Sequence, residues 1–285
     1  MATSPLANPT ATIAVLRSHG LYTRKSLGQH FLVDDNIVRR ILELAGVDET
    51  MHVCEVGPGI GTLTVALCDK AGSVVAVEHD ARLLPVLAET LMGCGAVKVV
   101  EADAVSVDPG ALVLNGRPPD ALVSNLPYAV AATVVLRYFQ ELPTLRSATV
   151  MVQAEVADRM AARPGSKAYG AYTAKLRFLA RPTGRFHVSR GCFLPPPRVD
   201  SAVLRLERDE LGDERMRSAA VTIADAAFAQ RRKTLRNSLL STLDVDRDVV
   251  DALLAAAGID GSRRAETLSP EEFLALGSAF AVVGS

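Results

Sequence analysis

The sequence predicts an α/β protein with a doubly wound parallel sheet, followed by a small all-α domain. Through the first two-thirds of the 285 residues, short continuous apolar runs alternate with amphipathic helical patterns, as is typical of strands covered on both faces. After Asp209 only helical patterns follow. The β-α-β alternation favours a parallel sheet, and the change of pattern near 209–213 favours a second domain. We therefore expect domains at residues 1–208 and 209–285.

The expected elements follow from local patterns. The run that begins at Asp34, a natural N-cap, and ends at Gly46 carries an apolar stripe of helical period. Strand-like runs are Val53–Val56, Val74–Val77, Val97–Val100, Ala121–Val123, Ala148–Val152, Arg185–Val188 and Ser201–Leu206. Helical patterns cover Asp34–Gly46, Asp80–Leu91, Ala129–Phe139, Glu214–Ala229, Thr234–Leu243, Asp248–Ala257 and Pro270–Phe280.

Charge is distributed unevenly, although the net charge is only −1. Three blocks contain basic residues and no acidic residue, namely residues 1–33 (with Arg17, Arg24 and Lys25), 163–198 and 228–240 (with Arg231, Arg232, Lys233 and Arg236). Such blocks either form a solvated basic face or bind phosphate. We expect these four residues of the third block to begin a helix, with Arg232 and Arg236 on one face. Because cations at a helix N-terminus oppose the helix dipole, we favour an external polyanion as their partner.

Several classes of protein are excluded by composition. No stretch reaches about 18 apolar residues, and the N-terminus lacks a signal-peptide pattern, so we expect no membrane span. The four cysteines form no C-x-x-C pair, which argues against a zinc site and a disulfide scaffold. A reducing, cytoplasmic location is therefore expected.

A glycine-rich loop leaves the first long strand. The segment Glu55–Thr62 reads Glu-x-Gly-x-Gly-x-Gly and opens a helix. Thr62 occupies the last position required by a dinucleotide fingerprint, so that pattern fails. The loop is either a plain strand-to-helix turn or a ligand loop, and it resembles the first motif of Rossmann-like methyltransferases. That resemblance implies S-adenosylmethionine, with Gly57 at the amino-acid end of the cofactor.

Two acidic residues end the next two strands. Glu78 could accept both hydroxyls of a ribose, by the same chemistry that places an acid after a dinucleotide loop. Asp103 follows the third strand, and the methyltransferase resemblance implies that it accepts the amino group of the cofactor adenine. Because the carboxyl ends of parallel strands share one edge, the glycine loop and both acids predict one site.

The segment Asn125-Leu126-Pro127-Tyr128 follows the fourth strand and resembles the signature of amino-methyltransferases. An adenine amine is a poor nucleophile because its lone pair is delocalised into the ring. The Asn125 carboxamide and the Pro127 carbonyl could accept its hydrogens, while Tyr128 could stack on the base. An Asn-Pro turn without catalytic function is the alternative. The base must leave its stack, and Phe193 is our candidate for a second stacking ring.

These motifs together resemble the ribosomal RNA adenine dimethyltransferases, and in particular their bacterial small-subunit branch, over nearly the whole chain. The matching segments are Arg24–Leu32, Glu55–Thr64, Asn125–Tyr128, Pro195–Ser201, Phe228–Ser238 and Arg264–Ser269. The resemblance implies a Rossmann-like S-adenosylmethionine-dependent methyltransferase domain with a helical C-terminal domain. It also implies cofactor contacts at His30, Leu32, Gly57, Glu78, Asp103 and Asn125. His30 stands where Asn is commoner, so only its backbone contact is carried over.

The same resemblance implies the substrate and the partner. The expected methyl acceptors are two adjacent adenosines in the 3′-terminal hairpin loop of 16S ribosomal RNA, in the small ribosomal subunit. Independently of the resemblance, we expect a monomer by default. Alternatives are a large-subunit methyltransferase of the macrolide-resistance type and a non-catalytic assembly or transcription factor on the same fold. A dehydrogenase is disfavoured by Thr62.

Overall fold

The computed structural model of the protein describes residues 3–22 and 29–283. A seven-stranded sheet forms the centre of the first part of the chain. The strands are β1 (Phe31–Leu32), β2 (His52–Val56), β3 (Ser73–Glu78), β4 (Val97–Glu101), β5 (Ala121–Asn125), β6 (Ser147–Gln153), β7 (Ala180–Val188), β8 (Phe193–Leu194) and β9 (Ser201–Arg208). The sheet order is β4-β3-β2-β5-β6-β9-β7, while β1 and β8 form a separate antiparallel pair.

Strands β2 to β6 pair with one another in parallel, whereas β9 pairs with β6 in the antiparallel direction. The order reverses between β2 and β5, because β3 and β4 follow on one side and β6 on the other. Open α/β sheets bind ligands outside the carboxyl ends of their strands at such a switch point. The predicted α/β class is confirmed, and the topology places a site beside β2 and β5.

The helices are α1 (Pro9–Ser18), α2 (Asp35–Ala45), α3 (Thr62–Cys68), α4 (Leu84–Thr90), α5 (Ala131–Glu141), α6 (Ala154–Met160), α7 (Ala171–Arg177), α8 (Glu214–Phe228), α9 (Leu235–Thr242), α10 (Arg247–Ala256) and α11 (Pro270–Val283). Asp34 caps α2 through its side chain, and Gly46 ends it at a φ of 62°. The expected helix from Asp80 begins as a 3₁₀ turn over Ala81–Leu83, and Pro85 then lies in the first turn of α4.

The chain divides into two compact units. The first contains Met1–Ala157 and Pro182–Glu207, and the second contains Asp158–Arg181 and Arg208–Ser285. The expected boundary near 209 is present, but the division is not a single cut, because residues 158–181 also belong with the C-terminal helices. Lys175 of α7 pairs with Asp225 of α8 at 2.7 Å, which ties this segment to the second unit.

The second unit is helical, as the sequence predicts. Helices α8 and α11 approach closely, since a Cβ at Gly277 would lie 2.5 Å from the Ala220 backbone nitrogen. Among the described residues, no helix is long and apolar enough to cross a membrane.

Candidate active site

A cavity of about 640 Å³ opens at the carboxyl edge of the sheet, within the size range of small-molecule sites. Four successive loops line it, each directly after a parallel strand. They contribute Gly57 and Gly59 after β2, residues 78–83 at and after β3, residues 102–104 after β4, and residues 125–128 at and after β5. Gln29 and His30 close a further side.

Ser124 holds the two strands at the switch point together. Residues of β2 and β5 pair in register only at Val53 with Ala121 and Cys54 with Leu122. Beyond these pairs, the buried Ser124 hydroxyl donates to the Val56 carbonyl at 2.6 Å. The Val56 N–H in turn donates to Ser124 Oγ at 3.3 Å. The hydroxyl thus replaces direct backbone pairing at the point where the two strands lead into loops that line the cavity.

The glycine loop presents backbone to the cavity. Gly57 adopts a φ of +68°, which side chains rarely adopt, and a Cβ there would lie 3.1 Å from Pro127 Cγ. Its N–H donates to the Val77 carbonyl at 2.8 Å, which fixes the loop on β3. Glycine is therefore required both by conformation and by the close approach of the β5 loop.

Glu78 is a buried carboxylate on the cavity wall. Its Oε1 accepts the Asp80 N–H at 2.8 Å, and its Oε2 accepts the Gly59 N–H at 3.3 Å. Burial raises the pKa of Glu78, while these backbone hydrogen bonds oppose the rise. The group is held in one orientation, as a site for hydroxyl donors requires.

The charge that lines the cavity is mainly negative. Asp103 is exposed, and its Oδ1 accepts the Val105 N–H at 2.9 Å. Arg82 is bound by Asp80 at 2.6 Å and does not offer a free cation. The Asp80 pKa is lowered chiefly by its hydrogen bond to Arg82. Glu78 and Asp103 therefore suit a cationic ligand and disfavour a pyrophosphate.

Glu55 lies behind the glycine loop and is 1% exposed. Burial raises its pKa to about 8, opposed by the Thr64 side chain and assisted by the nearby Glu78. Its Oε2 has no hydrogen-bond partner within the described part of the chain. A buried carboxyl group with one unpaired oxygen is costly for the fold, which is a common property of residues at functional sites.

Asn125 ends β5 at the cavity. Its Nδ2 lies 3.5 Å from the His30 carbonyl, a long contact of the kind that often tightens when ligands bind. Since the two polar atoms of a carboxamide point apart, this contact directs Oδ1 away from the His30 carbonyl. The side chain can therefore accept a hydrogen bond.

Pro127 and Tyr128 complete the segment. The Pro127 carbonyl accepts the Val130 N–H at 3.1 Å and keeps a second lone pair. The Tyr128 hydroxyl lies 2.7 Å from Ser201 Oγ, and its ring stacks on His30 with centroids 5.9 Å apart. Burial raises the Tyr128 pKa, opposed by Ser201, so the phenol remains neutral.

Comparison with known proteins agrees with this architecture. The profile described as "Ribosomal RNA adenine dimethylase" matches residues 20–281. The chain belongs to the ribosomal RNA adenine dimethylase family. It is therefore an enzyme that methylates adenine in ribosomal RNA.

Individual relatives of this adenine dimethylase support the assignment. The "Ribosomal RNA small subunit methyltransferase A" of Shouchella clausii is 43% identical, with 96% of this chain and 95% of the relative covered. The protein of the same name from Rubrobacter xylanophilus is 47% identical over 89% and 93% of the two chains. The 23S rRNA methyltransferase ErmE is 30% identical over 87% and 98%, with a TM-score of 0.65. A dimethyladenosine transferase from Plasmodium falciparum, 24% identical over 90% and 98%, shares the fold with a TM-score of 0.76.

Two predicted site residues of the dimethylase lie elsewhere. Leu32 and Phe193 pair across β1 and β8, and their side chains pack in the hydrophobic core. Phe193 is 2% exposed and is absent from the cavity lining, because the β1–β8 pairing turns its ring inward. The structure therefore does not bring Phe193 to the face of Tyr128, and any cofactor contact of Leu32 would be made by its backbone.

Contrary to expectation, three of the four cations of the basic block precede the helix, and Arg236 alone of the four lies in it, in α9. Thr234 caps α9 by accepting the Asn237 N–H, so Arg231, Arg232 and Lys233 lie in the preceding turn. Arg231 donates to the carbonyls of Lys167 and Tyr169, both at 2.8 Å. It also lies 3.5 Å from Glu266. Arg231 therefore ties loops together, whereas within the described residues the side chains of Arg232 and Lys233 make no ion pair.

Other parts of the site were not found from the sequence. Asp80 and Arg82 line the cavity, and Gln29 donates to Asp80 Oδ2 at 2.9 Å. The usable signal was their position directly after Glu78, at the carboxyl end of a parallel strand. Arg24 and Lys25, expected in a basic block and in the N-terminal motif, lie outside the described residues.

Proposed function

We propose that this enzyme transfers methyl groups from S-adenosylmethionine to N6 of two adjacent adenosines in the 3′-terminal hairpin loop of 16S ribosomal RNA. The observation that carries the proposal is the Asn125–Tyr128 segment at an acid-lined cavity. The names of the relatives from Shouchella clausii and Rubrobacter xylanophilus support the small subunit as partner. A cytoplasmic, monomeric enzyme that contributes to subunit biogenesis is part of the same proposal.

The residues present fit S-adenosylmethionine. Glu78 offers a fixed buried carboxylate for a ribose diol, and Asp103 offers an acceptor for an adenine amino group. Gly57 lets a ligand approach the backbone, and His30 and Asn125 line the same cavity. The negative lining complements the positive sulfonium and ammonium groups. When bound, the cofactor supplies an electrophilic methyl group at its sulfonium sulfur.

The Asn125–Tyr128 segment would orient the acceptor amine. Asn125 Oδ1 and the second lone pair of the Pro127 carbonyl accept the two N6 hydrogens, which directs the nitrogen lone pair toward the methyl group. Tyr128 provides a ring for the base. Asn125 and Pro127 would hold the amine while it takes up the methyl group that the cofactor would supply, and the surplus amine proton would then leave to water. Placement and electrostatics lower the barrier, so no strong base is required.

The second unit would bind RNA phosphates. Arg232 and Lys233 lie exposed in one turn, which Arg231 fastens to the loop that carries Lys167. Arg163 and Lys167 are exposed in that loop. These cations, free of partners within the described residues, offer the phosphate contacts that dominate RNA affinity.

A large-subunit RNA substrate is the second candidate, because ErmE shares the fold and 30% of the aligned residues. The higher identities to relatives named for the small subunit favour the first proposal. Both candidates involve the same chemistry and differ only in the RNA that is recognised.

The test is single-turnover transfer of labelled methyl groups from S-adenosylmethionine to undermethylated small subunits and, separately, to large subunits, followed by mapping of the modified nucleotides. We expect labelling of two adjacent adenosines near the 3′ end of 16S RNA. The variant Asn125→Ala should be slower by about 10²–10³, the cost of one oriented transition-state hydrogen bond. Label confined to large-subunit RNA would support the second candidate, and near-normal transfer by Asn125→Ala would refute the assigned role.

A further inference from the structure

The ring of Tyr128 is held on two sides by residues that neither the family resemblance nor the reaction assigns to it. On one side, the His30 imidazole stacks on it with an interplanar angle of 29°. On the other, the Ser201 hydroxyl lies 2.7 Å from its phenol oxygen. A ring with both contacts keeps one plane, because rotation about either side-chain torsion would break one of them.

His30 is itself fixed. Its Nδ1 lies 2.7 Å from the Pro195 carbonyl, so the imidazole is anchored to the loop that leads into β9. Its own carbonyl lies 3.5 Å from Asn125 Nδ2. One residue thus contacts the Tyr128 ring, the Asn125 carboxamide and the Pro195 backbone, which belong to three separate segments.

The spacing of the rings shows which side of Tyr128 the base can use. Centroids 5.9 Å apart lie within the usual 4.5–7 Å range of a direct aromatic pair. A third ring does not fit between them without displacing one of the two. The face of Tyr128 covered by His30 is therefore occupied, and a base stacks on the opposite face.

We propose that His30 and Ser201 are positioning residues, which fix the Tyr128 ring in the plane on which the target adenine stacks. This inference rests on the proposed adenine methylation. The platform is built before the base arrives, with His30 stacked beneath Tyr128. Preorganisation of this kind removes the cost of ordering Tyr128 during substrate binding.

The Ser201 half is tested with a double-mutant cycle on the full-length protein, using single-turnover methyl transfer to undermethylated small subunits. Ser201→Ala and Tyr128→Phe each remove the same hydrogen bond, and each should slow transfer by about two- to tenfold. The double variant should be no slower than either single variant. Independent, multiplying effects would overturn the role of Ser201.

The proposed role of His30 is tested with two substitutions of His30 and a control substitution of another histidine. His30→Ala should slow transfer by about tenfold or more, because it loses both the stacked ring and the Pro195 contact. His30→Phe keeps a ring and should recover most of the rate. His19→Ala, which removes a histidine paired with Glu89 on the same unit, is the control.

Cofactor affinity by calorimetry and the melting temperature are measured for every variant. A lower transfer rate with unchanged cofactor affinity and melting temperature supports positioning, since a merely structural role would lower the melting temperature as well. Equal rates for His30→Ala and the unaltered protein would overturn the inference while leaving adenine methylation intact. No transfer by the unaltered protein would instead overturn the proposed function on which the inference depends.

Discussion

Two buried carboxyl groups at neighbouring strand ends differ in how the fold supports them. Glu78 accepts two backbone N–H groups, whereas one oxygen of Glu55 has no partner within the described residues. Burial raises the pKa of both groups, and that of Glu55 reaches about 8. At the residue scale, the fold therefore places an unfavourable acid directly behind the loop that a ligand must contact.

The pH dependence of stability should reveal Glu55. The unfolded chain loses this proton near pH 4.5 and the folded chain near pH 8, so the native state binds more protons between these values. The free energy of unfolding should consequently fall as pH rises from 4.5 to 8, by up to roughly 5 kcal/mol at 1.36 kcal/mol per pKa unit. It should then level off.

Glu55→Gln removes the ionisation and should flatten that fall, while the smaller contribution of Glu78 remains. Urea unfolding at pH 5, 7 and 9 measures the difference. Parallel curves for Glu55→Gln and the unaltered protein would mean that Glu55 titrates normally.

At the scale of elements, the site lies where the backbone pairing of two adjacent parallel strands stops before the strands end. Ser124 substitutes one hydroxyl for the missing backbone pairing between β2 and β5. The loops that follow these two strands carry the glycine turn and the Asn125–Tyr128 segment, and they are two of the four loops that line the cavity.

Ser124→Ala should leave the Val56 N–H and carbonyl buried without that partner. The expected loss is about 1–3 kcal/mol in the free energy of unfolding, the cost of unsatisfied buried polar groups. Ser18→Ala, at an exposed serine with only a local hydrogen bond, is the matched control and should change stability by less than about 0.5 kcal/mol. Denaturant unfolding compares the two, and equal effects would remove Ser124 from its bridging role.

At the scale of the whole molecule, the net charge is only −1, but acidic and basic groups are concentrated in different places. The cavity of the first unit is lined by acids, whereas the second unit exposes cations in the turn before α9 and in the 163–169 loop. A nearly neutral chain can thus offer surfaces of opposite sign to a cationic cofactor and a polyanionic RNA.

Replacing Arg232 and Lys233 together by Ala should weaken the salt dependence of subunit binding. The log–log slope should become shallower by about 1.5, at roughly 0.7–0.9 per phosphate contact. The matched control, Arg215→Ala with Arg247→Ala, removes two other exposed cations from the same unit. Arg231→Ala should mainly lower the melting temperature, because Arg231 binds backbone carbonyls. Identical slopes for both double variants would mean that Arg232 and Lys233 are solvated surface residues that do not bind phosphate.

Sequence patterns predicted most of this architecture because its signals are local. The apolar strands, the cap at Asp34 and the glycine turn each depend on neighbouring residues. The surroundings of Phe193 and Arg231 could not be predicted, because pairing of β1 with β8 and bonding of Arg231 to the Lys167 loop join distant parts of the chain. The short strands β1 and β8 also carry too few residues for a periodic signal.

Strand β9 runs against β6, so it enters the sheet where the parallel strands end, with Ser201 beside Gln153. The glycine loop, Glu78 and Asp103 all come from one stretch that is synthesised early. Ser201, which anchors Tyr128, lies 73 residues after Tyr128 in the chain. A growing chain can therefore complete the nucleoside-facing wall before the support of its base platform has been made. Local detachment of β9 would free the Tyr128 ring from Ser201 and slow methyl transfer, while sparing the glycine loop.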